Sequence, residues 1–200
     1  MTPGGEQRQC PHLKMNPWGE TPTLQLADGS FISEAAAIVR YLDQVYPGRK
    51  IMGENALQQG LDNMWDNRIW VHVLYRIVTA FHVLYQGLGP KLELTTNHAR
   101  GGHCRKEALT HAALVNQHLS DGRNWLLGGE DPTFSDITLA TAIAFSKFPV
   151  NGTPLDERFE HLDAYWRRWQ LRPSFQAAYA DRNSGVPELD GMGKPDAQGQ

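Results

Sequence analysis

Cysteine is nearly absent from this sequence: Cys10 and Cys104 are the only two in 200 residues, and no CxxC pair occurs. Neither a disulfide framework nor a thiolate zinc site is suggested by so few and so distant thiols. Long hydrophobic runs are missing as well. None approaches the roughly 18 residues a membrane helix needs, and the opening stretch MTPGGEQRQCPHLKMNPWGE has no signal-peptide core, so the expectation is a soluble, cytoplasmic protein with no membrane partner. Charge of one sign is not in excess either. The 19 basic and 22 acidic residues are interspersed and leave a net charge of -3, which provides no phosphate-binding stripe and argues against a nucleic-acid partner. Histidine is the one polar type in surplus, with eight. Among His98, His103, Cys104, His111 and His118 no two sit at the i, i+4 spacing of a helical zinc site, so solvated helix positions are the expected reading and no metal is assigned.

Forty per cent of the residues are hydrophobic, enough to bury a real core in one large or two small domains. After a polar stretch over residues 1 to 15, Thr23 to Leu26 alternates, Asp28-Gly29 signals a turn and Ser30-Phe31-Ile32 resumes, which predicts a β-hairpin. Ser33-Glu34 then precedes Ala35 to Leu42, a run of good helix formers with Ile38, Tyr41 and Leu42 on one face, closed by Pro47-Gly48. From Asn55 onward the pattern is helices separated by Gly and Pro clusters. Helices are expected over about 55–86, 103–120, 133–148, 157–170 and 174–182, and the Gly-, Pro- and Asp-rich stretch 184–200 as a flexible tail.

The segment Asn16-Pro17-Trp18-Gly19-Glu20-Thr21-Pro22-Thr23-Leu24, the Asp28-Gly29 turn, and Ile32-Ser33-Glu34-Ala35-Ala36-Ala37-Ile38 followed by Tyr41-Leu42 resemble the second half of the thioredoxin-like domain of glutathione transferases. Thr133-Phe134-Ser135-Asp136-Ile137-Thr138-Leu139 is similar to the capping box of that family's buried central helix, and Thr79 to Pro90 resembles a fungal and bacterial subgroup. The resemblance spans roughly residues 4 to 182. It implies a mainly α protein in which a partial thioredoxin-like (α/β) N-terminal domain, residues 1–48, precedes an all-α C-terminal domain, residues 49–183. It further implies a cis bond before Pro22, with Thr21 pairing with the backbone of glutathione. Glu34 and Ala35 would receive the γ-glutamyl carboxylate at a helix N-terminus, where free N–H groups and the dipole favour an anion. The family usually carries Ser where Ala35 stands, and losing that hydroxyl costs about 0.5–1.5 kcal/mol. On residue type alone, Glu34 also fits a plain first-turn acid and Pro22 an ordinary turn proline.

Conjugation requires a thiol of pKa about 8.5 to be held as thiolate near pH ~6.5, which takes about 2.7 kcal/mol of differential stabilisation. The family's usual Ser, Tyr or Cys donor follows its first strand, and no residue here matches it. The expectation is a chain that begins after that strand-helix-strand unit and leaves the Thr23–Leu26 strand with an open edge. Arg68, His72, Tyr75, Thr79, His82 and Gln86 recur at steps of three and four and would form a polar stripe along the cleft between the domains. His82 or His72 could orient a thiol-activating water, and His82 is the catalytic candidate. Trp65, Tyr75 and Tyr85 are candidates to line a co-substrate cleft. A solvated face or dimer surface accounts for the same stripe. The implied function is transfer of glutathione, a co-substrate and the only small-molecule helper expected, to a small hydrophobic electrophile by a homodimer. The alternative is a non-catalytic scaffold of the same fold, and a weaker third is a glutathione-dependent disulfide reductase using Cys10.

Overall fold

The computed structural model describes residues 5–85, 95–147 and 153–180. The chain divides into two compact units, Met1–Glu54 and Asn55–Gln200.

In the first unit a short 3-10 turn, Glu6–Arg8, and helix α1, His12–Met15, lead into strands β1, Thr23–Gln25, and β2, Phe31–Ser33, and then helix α2, Ala35–Val45. Both turns before the hairpin fall in the polar stretch over residues 1 to 15, for which no element is expected. They form because the chain bonds locally, Leu13 N–H to Gln9 C=O and Lys14 N–H to Pro11 C=O, and because the loop at Gly19 folds back onto them. A Cβ at Gly19 would stand 3.2 Å from the Gln7 carbonyl and 3.3 Å from Leu13 Cδ2, and its φ is +65°. Only glycine fits there. The strands pair antiparallel with Leu24 opposite Ile32, and among the described residues they are the whole sheet. Asp28 closes the hairpin by accepting bonds from the Ser30 N–H and hydroxyl. The Ser30 hydroxyl bond is the main reason its carboxyl lies below the usual carboxylate range. The unit extends past Pro47-Gly48 because the buried Asp43 carboxylate of α2 accepts the Ile51 N–H at 2.6 Å and the Met52 N–H at 3.3 Å.

The second unit opens with α3, Ala56–Ile69, a π turn, Trp70–Leu74, and α4, Tyr75–Tyr85, where the periodicity predicts one uninterrupted helix. The side chain of Asn55 caps it by accepting the Gln58 N–H. Ile69, Val73, Ile77 and Ala80, spaced four, four and three residues apart, are buried to within 1% exposure and form the core face on both sides of the π turn, while Leu84 is half-buried. Helix α5, His98–His118, starts earlier than the expected His103. Asn97 caps it, and the Gly101-Gly102 pair, which precedes the expected start, lies inside the helix. Gly101 is where α5 meets α4: a Cβ there would stand 2.7 Å from the Leu84 Cβ.

Helix α6, Phe134–Ser146, is the buried centre, followed by α7, Glu160–Gln170, and α8, Pro173–Ala180. The Thr133–Asp136 capping box is formed as the motif implies. Leu139, Ala142, Ile143, Leu155, Leu162, Tyr165, Trp166 and Trp169 pack with the Ile69–Ile77 face and with Ala108, Ala112 and Val115 of α5 into one core. No helix among the described residues is long and apolar enough to cross a membrane. The predicted tail over 184–200 lies outside the described residues.

Candidate functional site

The antiparallel register decides which parts of the first unit can act together. Thr23 opens β1 and stands opposite Ser33, which closes β2. Thr21-Pro22, just before β1, and Glu34-Ala35, just after β2, therefore lie at the same end of the hairpin. Residues far apart in sequence converge there because the strands are in register.

The loop leading to that end is held by Asn16, which is only 3% exposed. Its Nδ2 donates to the Glu20 carbonyl at 2.9 Å and to the Thr23 hydroxyl at 3.3 Å, while its Oδ1 accepts the Trp18 N–H. His12 Nε2 donates to the same Glu20 carbonyl at 2.9 Å, which requires the proton on that nitrogen. The Thr21–Pro22 bond is cis, as is Cys10–Pro11. Thr21 and Pro22 are exposed, and Thr21 makes no hydrogen bond among the described residues. Its N–H and C=O are free to pair with another backbone.

At the other half, Glu34 is the only non-glycine among the described residues with positive φ, 71°, a conformation that costs an acidic side chain about 1 kcal/mol or more. It is the N-cap of α2, but its side chain caps nothing. The first N–H groups of α2 at Ala35 and Ala36 thus point outward with the positive end of the helix dipole behind them. Such an end can hold a carboxylate. Cys10 is free and exposed, and Cys104 is free and buried.

In the second unit the predicted stripe does not form a single face. The π turn Trp70–Leu74 falls within it, and its residues differ in burial: Arg68 and Tyr75 are exposed, His72 and His82 half-buried and Thr79 buried. His72 stacks on His111 of α5, with ring centroids 4.6 Å apart and planes at 20°. Arg68 lies over Trp65, and Thr79 is buried. His82 is half-buried, edge-on to Phe81 at 5.2 Å. Tyr75 is 46% exposed beside Trp70. Trp65 packs against the core with its ring 4.2 Å from that of His118 and the Arg68 guanidinium 5.3 Å away, so its ring is already engaged. The side chain of Tyr85, Gln86 and the Gly87-to-Pro90 stretch lie outside the described residues.

The core also holds a polar network whose α3 members no sequence motif marks. Asp62, fully buried on α3, accepts the Ser135 N–H at 2.9 Å, and Asp66, one turn later, accepts the Thr138 hydroxyl at 2.6 Å. Asp136 accepts the Leu126 and Thr133 N–H groups and the Tyr165 hydroxyl. Burial nevertheless holds its carboxyl above the usual range. Burial is also the main cause that raises Tyr165 well above the ordinary phenol value. The one signal for Asp62 and Asp66 in the sequence is their i, i+4 spacing one turn ahead of the apolar Ile69 face.

The model of the glutathione S-transferase C-terminal domain matches residues 78–168, and that of the N-terminal domain matches residues 1–45. Glutathione S-transferase 2 of Saccharomyces cerevisiae is 30% identical over 170 residues, covering 85% of this chain and 71% of that protein. A glutathione S-transferase domain-containing protein of Marinobacter aquaeolei superposes with a TM-score of 0.78 at 29% identity, covering 86% of this chain and 82% of the other. Elongation factor 1-gamma of Prunus avium is 24% identical over 92% of this chain and 42% of its own length. With a two-strand hairpin and helix ahead of a helical unit, and with a yeast relative matched over most of both chains, this chain belongs to the glutathione S-transferase family.

Proposed function

We propose that this chain binds glutathione at the Thr21–Pro22 and Glu34–Ala35 end of the hairpin and conjugates it to a small hydrophobic electrophile. The observation that supports this most is the pair of unbonded backbone elements at one hairpin end: the free Thr21 amide and carbonyl, and the uncapped N-terminus of α2. A γ-glutamyl-cysteinyl peptide needs both, one for its backbone and one for its carboxylate. In the transfer step the thiol loses its proton to water, the sulfur–carbon bond forms at the electrophile and the carbon's leaving group departs as an anion. His82 is the candidate to orient that water, and Tyr75, Tyr85 and Trp65 are candidates for contact with the electrophile. The protein would act in the cytoplasm.

Titration calorimetry tests the binding half. With Ala35 in place of a hydroxyl side chain, glutathione should bind weakly, at about millimolar strength, and Glu34→Ala or Pro22→Ala should weaken it further. Binding that both variants leave unchanged would remove this site. Turnover of 1-chloro-2,4-dinitrobenzene, with and without His82→Ala, tests the chemical half.

A second reading, a non-catalytic scaffold, is favoured by Ala35 and by the likeness to elongation factor 1-gamma along 92% of the chain. Homodimerisation suits either reading. Leu57 and Leu61 project from one side of α3 at 72% and 39% exposure, an apolar strip on which a second copy would bury. Sedimentation of the chain and of Leu57→Asp checks this. A monomer in both cases would withdraw the dimer.

A further inference from the structure

The π turn Trp70–Leu74 interrupts an otherwise continuous helix, and its middle residue, His72, stacks on His111 of α5. A π turn inside an α-helix is rare and is frequently found at functional sites. His72 and His111 are both half-buried, and their rings lie nearly parallel at 4.6 Å. His111 donates its Nδ1 proton to the Glu107 carbonyl at 2.8 Å, which fixes the orientation of its ring. Among the described residues, the recorded contact of the His72 ring is this stack.

One turn along each helix sits a second pairing. Arg76 Nε on α4 lies 3.2 Å from Glu107 Oε2 on α5, close enough for an ion pair but not aligned as a hydrogen bond. His103 Nε2 approaches the same carboxylate oxygen at 3.4 Å. One carboxylate therefore answers Arg76, His103 and the histidine stack.

The carboxylates on the other elements packed here are turned to partners of their own. On α3, Arg68 adds a further positive charge, and Asp62 and Asp66 are bonded to Ser135 and Thr138. Asp136, the only charged residue of α6, is engaged by Leu126, Thr133 and Tyr165. On α7, which meets α5, Glu160 pairs with His161 and Asp163 with Arg167. Arg105, Lys106 and His118 on α5 and His82 on α4 contribute positive or neutral groups only.

We propose that the π turn and the His72–His111 stack form a proton-operated hinge between α4 and α5. A proton on one ring leaves a cation against a neutral ring, an arrangement the stack tolerates. Protons on both put like charges a stacking distance apart beside Arg76, and a proton on His103 draws Glu107 away from Arg76. Imidazole changes charge over the physiological range, so mild acid loosens the helices at this point while the rest of the core holds. The proposal does not depend on glutathione binding.

Amide exchange read as protection factors, which removes the intrinsic effect of pH, tests it on the full chain. Between about pH 7.5 and 5.5 the amides of residues 70–76 and 107–112 should lose about tenfold in protection, with those of 134–146 unchanged. His72→Phe and His111→Phe keep a stacked ring without its charge, and each should reduce the loss to about twofold or less. Should a phenylalanine variant fail to fold, His72→Gln and His111→Gln make the same comparison. A loss that persists in both single variants, an equal loss in 134–146, or none in the unsubstituted protein would overturn the hinge.

Discussion

Replacing Asp62 separates what its two carboxylate oxygens contribute. Oδ1 accepts the Ser135 N–H in the first turn of α6, while Oδ2 is buried with no hydrogen-bond partner among the described residues. Asp62→Ala orphans a fully buried backbone N–H, worth about 1–3 kcal/mol, and removes a negative group from a helix N-terminus, worth up to about 1 kcal/mol more. The small cavity adds to that loss, whereas the unpartnered Oδ2 had been a burden that the substitution relieves. The expected net is a loss of about 2–3 kcal/mol, or about 4–12 °C in Tm for a chain of this size. Asp62→Asn keeps an oxygen facing Ser135 and replaces the unpartnered charged oxygen with a neutral amide, so it should cost less than about 1 kcal/mol. Urea unfolding with an unchanged m value measures both. An Asn as damaging as Ala would refute this, showing that α6 needs the charge of Asp62 and not its hydrogen bond.

Gly101→Ala should destabilise by about 1–3 kcal/mol because its Cβ would stand 2.7 Å from the Leu84 Cβ, whereas Gly102→Ala, with nothing within 4 Å, should stabilise by about 0.5–1 kcal/mol. Parallel thermal melts would show the two neighbours moving in opposite directions. Asp136 is held above the usual carboxylate range by burial, so the folded state binds its proton more readily than the unfolded chain and its contribution is lost as pH rises through the folded value. The stability gap between the unsubstituted protein and Asp136→Asn should therefore widen as pH falls from neutral toward ~4; a gap that narrows in urea titrations would refute it. Amides of residues 23–32, in a hairpin of two three-residue strands, should exchange faster than those of 134–146 in the core. Equal protection, in a demonstrated monomer, would contradict the reading of an open-edged sheet.

Local chemistry was legible in the residues themselves. Asp28-Gly29 makes its turn and Thr133–Asp136 its capping box because each needs only groups within a few positions of one another. The core face Ile69, Val73, Ile77 and Ala80 follows from periodicity, which survives the π turn because burial selects apolar side chains on both sides of it. The Asn16-to-Leu24 and Ile32-to-Ile38 motifs marked the candidate site, and the register of the hairpin placed their functional ends together.

What the tertiary structure alone decided has one physical origin: a contact between distant segments leaves no period in either. Gly101-Gly102 precedes the expected helix start, yet α5 runs through it because Leu84 of α4 needs the space at Gly101. The polar stripe on the long helix is regular in sequence, but its members meet different neighbours, with His72 stacked on His111, Arg68 over Trp65 and Thr79 buried. Asp62 and Asp66 look like solvent-facing acids until α6 brings Ser135 and Thr138 to them from more than seventy residues away. Sequence by itself determined the hairpin, most of the helices and the motifs that flank one hairpin end. Which polar side chains would be spent on holding helices together was decided by packing, because a buried acid is acceptable only where a donor from another element meets it.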